Sequence, residues 1–404
     1  MPAQPRPYDL VLFGATGFTG GLTAEYLARN VPAGCRWAVA GRNPAKLEQL
    51  RARLAAIDPA CAELPLLRAD AADPVSLREV AASTRVVITT VGPYLHHGEP
   101  LVAACADAGT DYVDLTGEPE FIDLMYVRHH ARAVETGARL VHACGFDSVP
   151  ADLGALFTVG QLPPGSPMSV QGFVRAGGSI SGGTFASVLL AFSRPRAMLR
   201  AARERQAVEP RPADRRAAVV FGPPRRSRDA RAWVLPMPAV DPQIVARSAA
   251  ALPAYGPDFR YGHYAAVKWL PVAVAVTAGL AVVALAAQLP PLRRAMSALH
   301  RPGQGPSEEL RARSWFTVRF VGESDGQRVV TEVSGGDPGY GETAKILSES
   351  ALCLAFDELP PTAGQLTTAA AMGPALIDRL SKAGISFTVL DPPPTDAPGP
   401  RRRS

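Results

Sequence analysis

The chain has 404 residues, 47% of them hydrophobic, with a formal net charge of +5 and five cysteines. That length and apolar content allow more than one core, so two domains are expected, while the small charge excess, few aromatics and lack of a nucleic-acid motif give no reason to expect a DNA or RNA partner. Cys35, Cys61, Cys105, Cys144 and Cys353 are scattered and form no Cys-x-x-Cys pair, which argues against a disulfide framework and for a reducing compartment.

A polar, proline-containing arm without a secretory signal pattern leads into the apolar run Leu10-Val11-Leu12-Phe13. Gly14-Ala15-Thr16-Gly17-Phe18-Thr19-Gly20 comes next, and a helical stretch begins near Leu22. A strand, a turn with little side chain and a helix N-terminus make an anion site, because first-turn N–H groups and the helix dipole point at the ligand. A dinucleotide pyrophosphate suits it. Gly14 would allow the tight turn, Gly17 the close approach of phosphate and Gly20 close helix packing, with Thr16, Phe18 and Thr19 sharing the loop. The spacing departs from the commoner Gly-x-Gly-x-x-Gly, and an ordinary glycine-rich turn is the alternative.

Trp37-Ala38-Val39-Ala40 reads as a second strand ending in Gly41-Arg42-Asn43, where an NAD enzyme usually carries an acid for the ribose 2′-hydroxyl. Arg42, helped by Asn43, suits a 2′-phosphate instead and points to NADP; a solvated strand-end arginine is the alternative. Apolar runs at 65–70, 85–91, 111–114 and 138–142 continue the alternation with helical segments, which predicts a doubly wound parallel sheet. Ligands bind beyond the carboxyl ends of such strands. Asp70 either reaches the adenine region or caps the following turn. The rigid loop Gly92-Pro93-Tyr94, followed by His96 and His97, falls where a nicotinamide would lie.

Residues 168–175 read as a strand, and the glycine-rich stretch 177–184 opens an apolar helix through Leu190. That loop either admits a substrate or phosphate group or is a turn with Thr184 as N-cap. Residues 194–231 hold 12 arginines against four acids and read as a solvated basic insertion or as an attraction for an anionic membrane or an acidic carrier protein. Residues 269–289 carry no charge over 21 positions, between Lys268-Trp269 and Arg293-Arg294. Such a run is long enough to cross a bilayer, yet a single crossing would split one domain across the membrane. A membrane-lying or lipid-facing helix suits the topology better, with a buried core helix as the alternative. Runs at 315–321 and 328–333 flank Asp325-Gly326, a hairpin signal. Helices near 342–356 and 374–383 and a strand at 386–390 complete the body, and the proline-rich stretch 391–404, closing on Arg401-Arg402-Arg403, is expected to be disordered. Adjacent His pairs give no metal spacing, and a Gly-x-Ser-x-Gly elbow is lacking, so no metal site or serine nucleophile is expected.

As a set, Gly14 to Gly20, Ala40-Gly41-Arg42, Val91-Gly92-Pro93-Tyr94, Gly145-Phe146-Asp147-Ser148-Val149-Pro150 and Gly336-Asp337-Pro338-Gly339-Tyr340 resemble the saccharopine dehydrogenase-like oxidoreductases, most nearly the mycobacterial trans-acting enoyl reductases. The resemblance runs from the first strand to about Leu390. It implies a Rossmann NADP-binding domain over 1–150 and a mixed α/β substrate domain over 151–390. It also implies reduction of an enoyl intermediate held on a separate polyketide synthase, in lipid or glycolipid assembly. For that chemistry a donor must stabilise charge developing on the thioester oxygen and a proton must reach the α-carbon. Tyr94 and His97 are the candidates for those roles, and Asp147 or Ser148 is a candidate for orienting substrate or cofactor; packing, solvation and helix capping are their structural alternatives. The cofactor-binding set is Gly14, Thr16, Gly17, Phe18, Thr19, Gly20, Arg42, Asn43, Asp70, Gly92 and Pro93. Two other readings stay open: a dehydrogenase of amino-acid derivatives, and a membrane-attached NADP-binding protein without turnover. A homodimer and a cytoplasmic location, peripheral at the inner face of the plasma membrane, are further expectations.

Overall fold

The computed structural model describes residues 6–178, 182–237, 239–298, 305–394 and 396–400. Apolar strands alternate with helices from the start. Strand β1 (Tyr8–Phe13) leads to α1 (Phe18–Asn30), β2 (Trp37–Gly41) to α2 (Pro44–Ala55), and β3 (Leu66–Arg68) to α3 (Pro74–Ser83). Next come β4 (Thr84–Thr89), the short α4 (Tyr94–His97), α5 (Glu99–Ala108), β5 (Asp111–Val113), α6 (Pro119–Thr136), β6 (Arg139–Val141) and α7 (Val149–Val159). Helices α2 and α3 start where the chain dictates: Asn43 and Asp73 accept from Lys46 N and Val75 N, and each is followed by a proline in the first turn.

The second half opens with β7 (Met168–Gly177), α8 (Gly182–Ser193), α9 (Pro195–Val208), β8 (Arg216–Val219), β9 (Arg225–Ser227), β10 (Ala232–Pro236), α10 (Asp241–Ala251) and β11 (Asp258–Val267). It continues through α11 (Leu270–Ala287), α12 (Pro290–Ala298), α13 (Glu308–Arg313), β12 (Trp315–Ser324) and β13 (Gln327–Gly335). The last elements are α14 (Gly341–Phe356), β14 (Gly364–Leu366), α15 (Thr368–Ala371), α16 (Gly373–Lys382) and β15 (Ser386–Val389).

Two sheets result. The first is all parallel, in the order β14-β6-β5-β4-β1-β2-β3, so chain direction reverses between β1 and β4. The second is mixed, β15-β13-β12-β7-β11-β10-β9, with β8 paired to β11. Ser324 opposite Gln327 closes the β12–β13 hairpin on Asp325-Gly326, both at positive φ as this dipeptide favours. One apolar core joins the sheets, running from Leu10, Leu12 and Val39 through Leu153 of α7 and Leu347 of α14 to Val170 and Phe320. Helix α14 packs on α1 and β4, and Tyr26 donates to Glu349 at 2.7 Å.

Part of the basic stretch is regular structure: α9 packs along α6 through Arg205 on Asp123 (2.6 Å), and β8 and β9 join the second sheet. Composition alone predicts a disordered tail. Instead, residues up to Pro400 cross the second sheet, where Arg175 donates to Pro398 O (2.5 Å), Thr317 to Gly399 O (2.9 Å) and Arg319 to Asp396 O (2.6 Å). The sheet's own side chains supply the donors that a proline-rich segment cannot offer itself. Arg401 to Arg403, residues 179–181 of the second glycine loop, and the side chains of Thr184 and Arg294 lie outside what is described.

Helix α11 is the exception to the burial rule. Its 18 residues have a mean hydropathy of 2.3, yet only 11% of them are buried. Trp269, Val274, Val282 and Leu285 are more than half exposed.

Candidate active site and cofactor cleft

Position β1 dictates the first part of the site. The chain turns at Gly14 with φ +85°, and a Cβ there would stand 2.6 Å from Val91 Cγ2. At Gly20 an added Cβ would fall 2.2 Å from Gly14 O, so only glycine lets α1 lie this close to the turn. Gly17 is the N-cap of α1 and provides no side-chain cap, so the first-turn N–H groups face the loop mouth without an internal carboxylate or hydroxyl. Such a loop has the shape and free N–H groups to take a pyrophosphate, and it stands at the reversal of strand order where such sheets bind ligands. The Phe18 ring meets Tyr340 edge-on at 4.8 Å, so the Asp337-Pro338-Gly339-Tyr340 turn closes over the loop. Asp337 shapes that turn by accepting from Gly339 N (3.3 Å) and Gly341 N (2.9 Å).

Beyond β2 and β3 lies a cleft of about 540 Å³ lined by Arg42, Arg68, Asp70, Asp73 and Ser76 among others. Gly41 pairs with Arg68, so the two arginines sit at the ends of neighbouring parallel strands. Both are exposed, and neither makes an ion pair among the described residues. Two free guanidinium groups at one cleft are what a 2′-phosphate requires. Arg68 escapes a reading of the chain because it becomes Arg42's neighbour only once β3 lies beside β2. Asn43 spends its carbonyl on Lys46 N (3.1 Å), and Asp70 accepts from Ala72 N (3.0 Å), so the second shapes the turn that walls the cleft.

On the other side of the reversal, Thr90 donates to Gly14 O (3.2 Å) and ties the Gly92-Pro93-Tyr94 loop to the glycine turn. Glu118 caps α4 with both oxygens, accepting from Tyr94 N (3.1 Å) and Leu95 N (2.8 Å), and Ser187 of α8 donates to it at 3.3 Å. The Tyr94 hydroxyl donates to Thr89 O (3.1 Å) and accepts from Leu115 N (3.2 Å). Burial holds this phenol protonated far above its ordinary range, with its one proton committed to the backbone. His97, at the end of α4, is exposed.

The loops after β5 and β6 are pinned by Asp114. It accepts from Thr116 N (3.0 Å), Ala143 N (2.9 Å) and the Tyr112 hydroxyl (3.0 Å), and it pairs with His142 Nδ1 at 2.6 Å in full burial. These loops bring Asp147 beside Gly117, where an added Cβ would lie 3.6 Å from Asp147 Oδ2. Asp147 is partly exposed and has no hydrogen bond among the described residues. The surrounding protein lifts its carboxyl to about 6. Asp241, also buried, is pushed well up by desolvation and by Asp147, and the enclosed His263 falls to about 3 and stays neutral. Ser148 Oγ is buried without a partner. Thus Tyr94, Asp147 and Gly117 converge at the ends of β4 to β6, while Arg42, Asn43 and Asp70 form a separate group beyond β2 and β3.

Residues 10–141 match the family model described as saccharopine dehydrogenase NADP binding domain. A Mycobacterium tuberculosis protein named as a candidate trans-acting enoyl reductase is 40% identical over 416 residues, covering 96% of this chain and 98% of its own. The trans-acting enoyl reductase of Mycobacterium leprae is 37% identical over 420 residues, covering 95% and 98%. Among solved structures, apo saccharopine dehydrogenase (L-Glu forming) from Saccharomyces cerevisiae overlays with a TM-score of 0.52 at 15% identity, covering 95% of this chain and 100% of that one, a likeness of fold.

Proposed function

The chain belongs to the trans-acting enoyl reductase family and is an NADP-dependent oxidoreductase acting on CH–CH groups; from that premise we propose that it reduces an α,β-unsaturated acyl or polyketide thioester carried on a separate synthase, in lipid or glycolipid assembly. The observation that supports a catalytic reading is the unpartnered Asp147 carboxyl beside Gly117, next to the loop that carries Tyr94. The residues present fit NADP: an uncapped helix N-terminus behind Gly14 and Gly20 for the pyrophosphate, and Arg42 with Arg68 for the 2′-phosphate.

When bound, NADPH supplies a hydride to the β-carbon. The chain must hold the thioester in register and deliver a proton to the α-carbon. Asp147 can carry that proton, because its carboxyl titrates near 6 and no internal bond competes for it. Tyr94 holds the loop rather than the substrate, since its hydroxyl is used twice by backbone; His97 is the alternative donor, at the exposed end of α4. Ser148 Oγ, buried and unpaired beside it, is the group we assign to orienting substrate or cofactor.

The exposed α11 favours a peripheral membrane location on the cytoplasmic leaflet. Its chain leaves the second sheet at Val267 and returns at Trp315, on the two strands that flank β7 near Gly177. Departure and return are therefore only about 10 Å apart, two strand spacings, which supports seating α11 on a bilayer over a single crossing. The test of activity is NADPH oxidation by the purified chain with 2-enoyl thioesters, against saccharopine as control. Oxidation confined to the amino acid would refute the proposal.

A further inference from the structure

Strands β7 and β11 are parallel neighbours, and each is followed by a helix, α8 and α11. The two helices pack side by side, and at their far ends Gln288 donates to Phe192 O, so they run in the same direction. They differ in what else they touch. Helix α11 presents Trp269, Leu270, Val272, Val274, Leu280, Val282 and Leu285 to solvent over about 27 Å. Helix α8 reaches the Tyr94 loop instead, where Ser187 donates to Glu118, the carboxylate that caps the Tyr94 and Leu95 N–H groups. A single helix thus separates a bare apolar surface from the loop beside the candidate reacting centre.

The ends of α11 indicate what covers it. Lys268 stacks its ammonium 5.8 Å from the Trp269 ring at one end, and at the other α12 carries Arg293 and Arg294 in sequence. Cationic groups at both ends of an apolar helix, with an aromatic ring at one, match an anionic bilayer interface, and the cations disfavour burial against a second identical copy.

Resting on the membrane reading above, we infer that α8 and α11 form an interfacial portal: the bilayer seats on α11, and the acyl chain of the substrate reaches the Tyr94 loop between the two helices, past Ser187. The surface that binds the membrane is then the route by which a long, poorly soluble acyl chain arrives. Membrane docking and access are one event. A short enoyl thioester needs neither.

The full chain is assayed with NADPH on a short 2-enoyl thioester in solution and on a long-chain 2-enoyl thioester dissolved in vesicles of equimolar phosphatidylcholine and phosphatidylglycerol, with flotation measured in parallel. The protein is expected to float, and the vesicles are expected to raise kcat/KM severalfold for the long chain while leaving the short-chain rate unchanged. Val282→Glu and Leu285→Glu, on the exposed face, should lose both flotation and stimulation and keep the short-chain rate. Flotation without stimulation would overturn the portal and leave the membrane reading standing. Absence of flotation, or a chain that self-associates through α11, would overturn both, and the short-chain rate reports separately on the enzyme.

Discussion

Removing Arg42 or Arg68 should cost affinity for NADPH and leave NADH untouched. Each guanidinium stands at the end of one of two paired strands and makes no ion pair among the described residues, although Asp70, Asp73 and Glu79 line the same cleft. A hydrogen bond to a charged group contributes roughly 1.5–3 kcal/mol, and solvent exposure puts both near the lower limit. About 1.4 kcal/mol is tenfold in binding, so Arg42→Ala and Arg68→Ala should each weaken NADPH about tenfold. The double variant should fall short of the product, because both side chains serve one phosphate and are coupled. Nicotinamide fluorescence titration of the purified chain measures this without an acyl substrate. The effect on NADPH should shrink with added salt, as it does for exposed charges. Equal losses for NADPH and NADH, or none for either, would refute the assignment of this cleft to the 2′-phosphate.

Gly20→Ala drives a Cβ to 2.2 Å from Gly14 O, and overpacking of this kind costs about 1–3 kcal/mol; thermal unfolding and cofactor titration should both register it. Tyr94→Phe removes a donor to Thr89 O and strands the Leu115 N–H, a loss of about 1–3 kcal/mol in urea unfolding. Asp147→Asn tests the proton: the wild type should lose kcat/KM as pH rises through about 6, and the variant should lack that limb. The stability sign is opposite to that of a salt-bridged acid. With its folded pKa raised, the native state holds the Asp147 proton more tightly than the unfolded chain, so this group's contribution falls as pH rises from about 4 to about 6 and is flat above. Asp147→Asn should therefore raise the melting temperature at pH 8 and change it little at pH 4.

Local signals carried much of this fold. The glycine turn, the Asp325-Gly326 hairpin and the proline-led helices depend on backbone geometry within a few residues, and residue types report such geometry directly. Arg42 is a legible candidate because it follows a strand directly; Arg68 becomes one only once β3 lies beside β2. Tyr94 shows a different limit: its type suggests a proton donor, but the carbonyl of Thr89 and the N–H of Leu115 that occupy it are set by tertiary placement. The apolar run of α11 was evident from composition. Its exposure, and the return of the chain beside its point of departure, emerge only from strand pairing.

The three residues of β14 tie the cofactor sheet to the end of the chain. Gly364 pairs with Arg139 and Gln365 with Leu140, while Gln365 Nε2 also donates to Ile122 O at 2.8 Å. During synthesis, residues 6–141 therefore emerge with β6 as an uncovered edge, and that edge waits for more than half of the protein to follow. Because contacts this remote in sequence form late, closure of the nucleotide-binding half waits until residues 364–366 have been made, and a truncated cofactor domain carries a strand open to pairing with its neighbours.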